Sequence, residues 1–480
     1  MPDSDALATR AADRAAPTAL SPEGIHLVTE GNVFHQAWAL SWPSALANLL
    51  QPVIFLTDAL YVGRLNDPIA LAALGTGQQL IWVMIAVGMA LVVGTTALVA
   101  RFVGAGEPAN AARAARQSLL LALFSSIIIA VVLWVLRREI LAIYRVPELV
   151  TPAADYLEPI IVSLPAYFGM LVVMGIFRGM GDVKKPLTIM AVATAVSVLG
   201  GYPMIAGTPA FSVGGLQVPA FAGLGLPGAG YTAAAGRLLA CLVGLLLLRR
   251  TGLWRRFARV WRPSLHWFGR IANIGAPAAL QQVSRSVGNI FFLSILGGSA
   301  GAEALAAFTV GVRIEGLSFM PGFASGVAAT TMVGQNLGAR QPDRAARSTW
   351  ACAAQALIYM TAVGVVLFVL AEPIVWRFSH DAAILTDGVA YLRINALAFP
   401  LLALWMVLAG SLQGAGDTRF PALVTILSMW VVRIPLTYLL INGWGLGTVA
   451  AWWAMSASTG LGAILIWWRF RTGHWRYQTV

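Results

Sequence analysis

This sequence is short of charge, all but lacks lysine and holds only two cysteines. Charged residues make up 11% of the chain against 58% hydrophobic, with a mean hydropathy of +0.76. A soluble domain of 480 residues needs more charge than that to cover its surface, so lipid is the solvent for most of it. Lys184 and Lys185 are the only lysines, and the net charge of +12 comes from arginines placed mostly between apolar runs. That is where topology determinants belong, and no aromatic-interleaved basic patch makes a nucleic-acid groove. Cys241 and Cys352 lie in apolar runs, too few for a disulfide framework and without neighbours at metal-ligand spacing, so neither a metal nor a cofactor is expected. His26, His35, His266, His380 and His474 all fall outside the apolar runs or at their edges, which argues against an intramembrane enzyme.

What the chain does have is apolar length. A membrane span needs about 20 mostly apolar residues. Twelve stretches qualify: 36–63, 75–101, 118–136, 157–177, 186–206, 228–248, 272–296, 306–334, 350–370, 394–413, 421–441 and 447–468. With the N-terminus inside, the segments on the cytoplasmic side hold 22 Lys and Arg and the opposite side six, which predicts both termini in the cytoplasm. The first residues are polar and Ala/Pro-rich with no apolar signal-peptide core, and they read as a disordered tail.

The strongest signal is an internal repeat. Shifted by 234, residues 43–113 align without a gap onto 277–347, with 21 of 71 positions identical. Pro43-Ser44-Ala45-Leu46 meets Pro277-Ala278-Ala279-Leu280, and Gly104-Ala105 meets Gly338-Ala339. One residue of slippage later, Arg178-Gly179-Met180-Gly181-Asp182 meets Gln413-Gly414-Ala415-Gly416-Asp417. Six spans per repeat is an even number, so both halves enter the membrane in the same sense and a cavity is expected at their interface. The expected fold is an all-α polytopic membrane protein. Its twelve transmembrane helices form two homologous six-helix lobes related by a pseudo-twofold axis along the membrane normal. The boundaries are a cytoplasmic tail over 1–35, a lobe over 36–250, an Arg-rich linker over 251–270, a second lobe over 271–470 and a tail over 471–480. The Gly/Pro-rich run from Thr208 to Phe221 has no counterpart in the second half and reads as a surface loop.

These repeated residues resemble the multidrug and toxic compound extrusion (MATE) family. The resemblance rests on Pro43, the run Thr57-Asp58-Ala59-Leu60-Tyr61-Val62-Gly63-Arg64, Val333-Gly334-Gln335-Asn336-Leu337-Gly338-Ala339 and the two Gly-x-Gly-Asp loops. It implies two lobes in a V that rock between inward- and outward-open states, exporting organic compounds against an inward flow of protons or sodium. The implied setting is the inner (plasma) membrane, with a monomer working on small organic substrates. The seventh span carries Arg285 where the NorM branch has a Glu, and the tenth, around Leu402, lacks that branch's Asp. That places the chain nearer a DinF-like or unassigned branch.

Asp58 is the most informative single residue. It lies inside the first span, where a carboxylate is costly and where proton uptake and release is a natural use for one. In the family the matching Asp is the coupling-ion site of the N-terminal lobe. Its repeat mate is Phe292, so the second lobe carries no copy. The neighbouring polar positions are thin: Ser197, Gly200 and Gly201 on the fifth span and Thr232 on the sixth. Sodium wants several fixed oxygens and a proton needs one basic group, so protons are the expected coupling ion, with sodium the alternative. Arg285, Arg313 and Glu315 are intramembrane charges on adjacent spans, and Glu315 is expected to contact at least one of these arginines. With Asn289, Tyr61, Phe292 and Trp405 they are candidate cavity or substrate residues, while Arg237 and Arg433 are expected to snorkel or to cap a carboxylate. Asp182 and Asp417 are expected to cap the helices that follow, and they are candidates for an inner gate. The competing reading within transport is a lipid-linked oligosaccharide flippase, which would use a more basic cavity.

Overall fold

Helices begin where the sequence supplies caps and prolines. The computed structural model describes residues 28–143, 145–208, 211–213, 216–218, 220–257 and 262–478. Asn32 Oδ1 accepts from the Phe34 and His35 amides at 2.9 and 3.2 Å and opens α1 (Val33–Gly63). Asp67 does the same for Ile69 and Ala70, with Pro68 in the first turn of α2 (Pro68–Gly104). Proline also starts α3 (Pro108–Ala142) and α4 (Pro147–Val162), and Pro165 lies in the first turn of α5 (Leu164–Gly179). The last two helices form one crossing bent by 53° at Ser163, where Pro165 lacks the amide needed to continue the ladder. Helices α6 (Lys184–Ala206) and α7 (Leu226–Arg249) complete the first lobe. Between them the Gly/Pro-rich run is a short hairpin, β1 (Phe211–Val213) antiparallel to β2 (Leu216–Val218), closed by paired bonds between Thr208 and Phe221.

After the short α8 (Gly252–Arg255), the second lobe opens with α9 (Leu265–Gly338). Helical bonding runs through all of α9, but Gly301 sits at φ 84°, ψ −174° and divides it into two arms. The position matching Gly301 in the first lobe is Asp67, and there Asp67-Pro68 makes a clean stop and restart. With no proline at the second site, the arms stay joined. The lobe continues with α10 (Pro342–Val369), the short α11 (Ala371–Trp376), α12 (Ala382–Ala415), α13 (Arg419–Gly443) and α14 (Thr448–Arg471). Among the described residues ten helices are long and apolar enough to span a membrane, and the bent pair adds an eleventh. Dividing α9 at Gly301 gives six crossings to each lobe.

The repeat is visible as paired contacts. Thr96 Oγ1 donates to the Gly175 carbonyl at 3.1 Å, and its mate Thr330 donates to the mate carbonyl, Gly410, at 2.8 Å. Between the lobes the contacts are reciprocal. A Cβ on Gly104 would overlap the Gln335 carbonyl, and one on its mate Gly338 would overlap the carbonyl of Arg101, which is the mate of Gln335. A Cβ on Gly334 would stand 2.7 Å from that of its own mate, Ala100. Two mates that touch each other lie beside the symmetry axis, so the pseudo-twofold passes between Ala100 and Gly334.

That end of the molecule is also where the lobes are tied. Gln335 Nε2 donates to the Gly179 carbonyl at 3.0 Å, and Gln355 Nε2 to that of Phe34 at 2.8 Å. Residues 28–32, expected in the tail, are docked here. Val28 is buried, its amide donates to Gln335 Oε1 at 3.0 Å, and Arg344 Nη2 bonds the Gly31 carbonyl at 2.9 Å. Residues 1–27 of that tail lie outside the described residues. The C-terminal tail is likewise packed down, with Trp475 stacked on Phe470 at 4.8 Å and Arg101 Nη2 bonded to the Gln478 carbonyl at 3.0 Å. Where the expected linker meets the second lobe, Trp267 and Ile271 are buried in the first turns of α9, Trp267 against Phe102; the linker positions 258–261 lie outside the described residues.

Candidate functional site: a central cavity and a buried carboxylate pocket

A cavity of about 290 Å³ lies between the lobes. Helix α2 supplies one wall through Met89, Val93 and Thr96, and the second lobe supplies most of the rest. Four charged side chains line it: Arg285 on the first arm of α9, Glu315 on the second arm, Arg433 on α13 and Arg178 at the end of α5. Tyr391 donates its hydroxyl to Glu315 Oε2. Arg433 Nε bonds Ser458 Oγ at 2.9 Å and Nη2 bonds Thr459 Oγ1 at 3.3 Å, so α14 holds the guanidinium in place. It stands where the helical ladder of α13 widens over Leu427–Arg433, just before Pro435 removes an amide donor. Gln281 bonds Thr425 Oγ1 at 2.9 Å and accepts from Gln413 at 3.3 Å, which ties α9, α12 and α13 together at the cavity wall.

The second site is a small pocket of about 20 Å³ inside the first lobe. Asp58 is buried there, with Gln51, Tyr156, Tyr167, Ser197 and Arg237 around the same space. The Arg237 guanidinium lies 4.7 Å over the Tyr167 ring. Along its own helix the one cation within two turns of Asp58 is Arg64, and α7 brings Arg237 into the pocket. Among the described residues no ion pair joins the two, so they share the enclosure without a direct bridge. Thr232 lies outside this lining and bonds the Gly228 carbonyl of its own helix at 2.8 Å.

Of the other candidates, Trp405 lines the central cavity with Arg285 and Glu315. Arg313, Asn289, Tyr61 and Phe292 do not. Arg313 is two residues from Glu315, about 200° around the helix, so it projects from the opposite face and is exposed. The expected contact from Glu315 to Arg285 or Arg313 is absent among the described residues, and Tyr391 is its partner instead. Asn289 is exposed one turn beyond Arg285. Tyr61 donates to the Val198 carbonyl at 3.0 Å and packs edge-on against Tyr202. Phe292 is buried in an aromatic core with Phe308, on which Trp452 stacks at 6.0 Å. Asp182 caps α6 through the Lys184 and Lys185 amides at 3.1 and 3.2 Å and pairs with Lys185 at 2.9 Å. Asp417 instead receives Nε and Nη2 of Arg469, each at 2.9 Å. Both carboxylates are thus spent within their own lobes; glycines and Gln335 make the seal between lobes. Arg178, Gln281 and Gln282 line the cavity and Tyr391 holds Glu315, and of these only Arg178 carries a sequence signal, as the charged member of a repeated loop.

The MatE family model matches residues 43–202 and again 277–439, two copies that begin 234 residues apart. The chain belongs to the MatE family. It is therefore a multi-pass membrane transporter of the multidrug efflux class and not an enzyme. Among relatives of this MatE protein, a probable multidrug resistance protein NorM of Thermotoga maritima is 27% identical over 92% of this chain and 93% of its own length. The multidrug resistance protein PmpM of Pseudomonas aeruginosa is 28% identical over 83% of this chain and 82% of its own. Several relatives carry the name NorM, which gives no support to a DinF-like placement. A multidrug resistance MATE family transporter solved in an outward-facing conformation superposes with a TM-score of 0.83 at 22% identity, covering 96% of this chain and all of that one. A MOP-superfamily transporter from Pyrococcus furiosus gives 0.84 at 22%, over 95% of this chain. At such identities these structures speak for the fold.

Proposed function

We propose that this MatE protein is a secondary antiporter of the inner membrane that exports amphipathic organic compounds in exchange for protons, with Asp58 as the proton-carrying group. The observation that carries the choice of ion is that Asp58 and Arg237 share one small pocket. A fixed guanidinium already supplies the positive charge that a bound sodium would bring, and a second cation beside it would be repelled. A proton needs only the carboxylate itself.

The transport cycle follows from the two-lobe plan. The lobes over 36–250 and 271–470 rock about the axis beside Ala100 and Gly334, alternately sealing one end and the other. The arginine bias puts both termini, and the Gly104–Gly338 seal, on the cytoplasmic side. With that end closed, the conformation described here faces outward. One chain carries both lobes and the whole cavity, so a monomer suffices.

The test is transport by purified protein in proteoliposomes, with pH and sodium gradients imposed separately. The probes are a naphthalene sulfonate and a naphthyl-trimethylammonium, the same body with opposite head charge. A pH gradient alone is expected to drive movement of at least one probe, and a sodium gradient alone neither. Equal or faster transport on sodium alone would overturn the choice of ion.

A further inference from the structure

The charges of the central cavity do not balance. Among the described residues three guanidinium groups, Arg178, Arg285 and Arg433, face one carboxylate, Glu315, and no Asp, Lys or His joins the lining. Glu315 already accepts the Tyr391 hydroxyl, and Arg433 is tied to Ser458 and Thr459. Among the described residues no carboxylate lies within ion-pair distance of Arg285 or Arg178, and the Nε of Arg178 is buried without an acceptor. Excess positive charge in a partly desolvated space is costly, and the cost falls when a counter-charge enters. The glutamines of the wall, Gln281 and Gln282, add neutral hydrogen-bonding groups beside the arginines. Next to them lies an apolar wall that includes Phe319, Phe323, Phe399 and Met406. Such a cavity suits a ligand with a charged head and an apolar body.

We infer that the central cavity binds amphipathic organic anions: an aromatic or aliphatic body bearing a carboxylate, sulfonate or phosphate head that faces Arg285 and Arg433. This names the substrate class for the proposed exporter and rests on that reading only in taking the central cavity as the substrate chamber. Guanidinium groups suit the head because their planar donors match the oxygens of all three acids. Glu315, held by Tyr391, keeps the cavity from trapping the anion too firmly to release it.

The experiment is equilibrium binding to the full chain in phosphatidylcholine nanodiscs, with no ion gradient, using radiolabelled naphthalene sulfonate and naphthyl-trimethylammonium. The wild-type protein should bind the sulfonate about tenfold or more tightly than the ammonium, roughly 1.4 kcal/mol. Arg285→Met should lose most of that preference and Arg285→Lys should keep most of it. Equal or tighter binding of the ammonium by the wild type would overturn the inference, and that comparison stands even if the Met variant fails to fold. So would a sulfonate affinity indifferent to a folded Arg285→Met. Replacing part of the lipid with phosphatidylglycerol separates a free anion from a lipid headgroup: unchanged affinity supports the inference, and competitive loss assigns the cavity to the headgroup instead. Because no gradient is present, a wrong coupling ion leaves these results untouched. Equally, a wrong substrate class leaves pH-driven movement of the ammonium probe intact.

Discussion

Asp58→Asn is expected to abolish pH-driven transport while leaving a folded protein that still binds substrate in the central cavity. The substitution is close to isosteric and removes only the capacity to ionise. An unpaired charged side chain inside a span is costly to hold there. Asp58 is buried, with no ion-pair partner among the described residues, and its repeat mate is the core residue Phe292. A position that needed only packing would be filled as the second lobe fills it. Among the described residues the variant leaves Arg237 as the one charge lining the pocket, so a modest fall in melting temperature is expected, with about 3 kcal/mol as an upper bound. Arg237 is only partly buried and lies over Tyr167, which limits the loss. The double variant Asp58→Asn/Arg237→Gln should regain part of the stability and none of the coupling. Transport assays and thermal unfolding of the three proteins separate the two effects. Wild-type pH-driven rates in Asp58→Asn would remove the carboxylate from the mechanism.

Gly104→Val is expected to have the second large effect, on the conformational equilibrium. A side chain there runs into the Gln335 main chain, which belongs to a helix and cannot swing aside. Overpacking of this kind costs about 1–3 kcal/mol and more where backbone is struck. The clash exists while the lobes are packed together at this end, so the cost falls on the state in which this contact is closed. A bias of about 5.5 kcal/mol would carry a two-state equilibrium from 1:99 to 99:1, and a lesser one moves it part-way. Single-cysteine labelling near Gly104 and Gly338 should therefore rise in the variant, with transport slowed. Gly338→Val, the symmetry mate that meets the Arg101 carbonyl, should behave alike. Unchanged labelling in both would mean that the lobes do not separate here.

Much of this architecture is legible in the sequence because membrane spans and an ungapped repeat are one-dimensional signals. The shift of 234 residues that aligns Pro43 with Pro277 also separates the two family matches. Span ends are less legible, since caps such as Asn32 and Asp67 extend helices beyond their apolar runs. Gly301 shows the limit from the other side: without a proline, two crossings share one run of helical bonds. The sites divide in the same way. Asp58 stands out by its cost alone, but Arg237 meets it from a helix about 180 residues away, and only packing reveals that. The opposite faces of Arg313 and Glu315 could have been read from helical period. That Tyr391 rather than an arginine serves Glu315 depends on how α12 sits against α9.

The most direct test of the central claim is reciprocal coupling. Proteoliposomes holding the purified protein and an internal pH dye start with equal pH and equal sodium on both sides, and an outward gradient of naphthalene sulfonate or naphthyl-trimethylammonium is then the only driving force. Clamping the membrane potential with potassium and valinomycin removes passive proton movement driven by voltage. The account predicts acidification of the lumen as substrate leaves and protons enter, absent in Asp58→Asn and unaltered by sodium. Substrate efflux with no change of internal pH, or acidification that persists in Asp58→Asn, would contradict it.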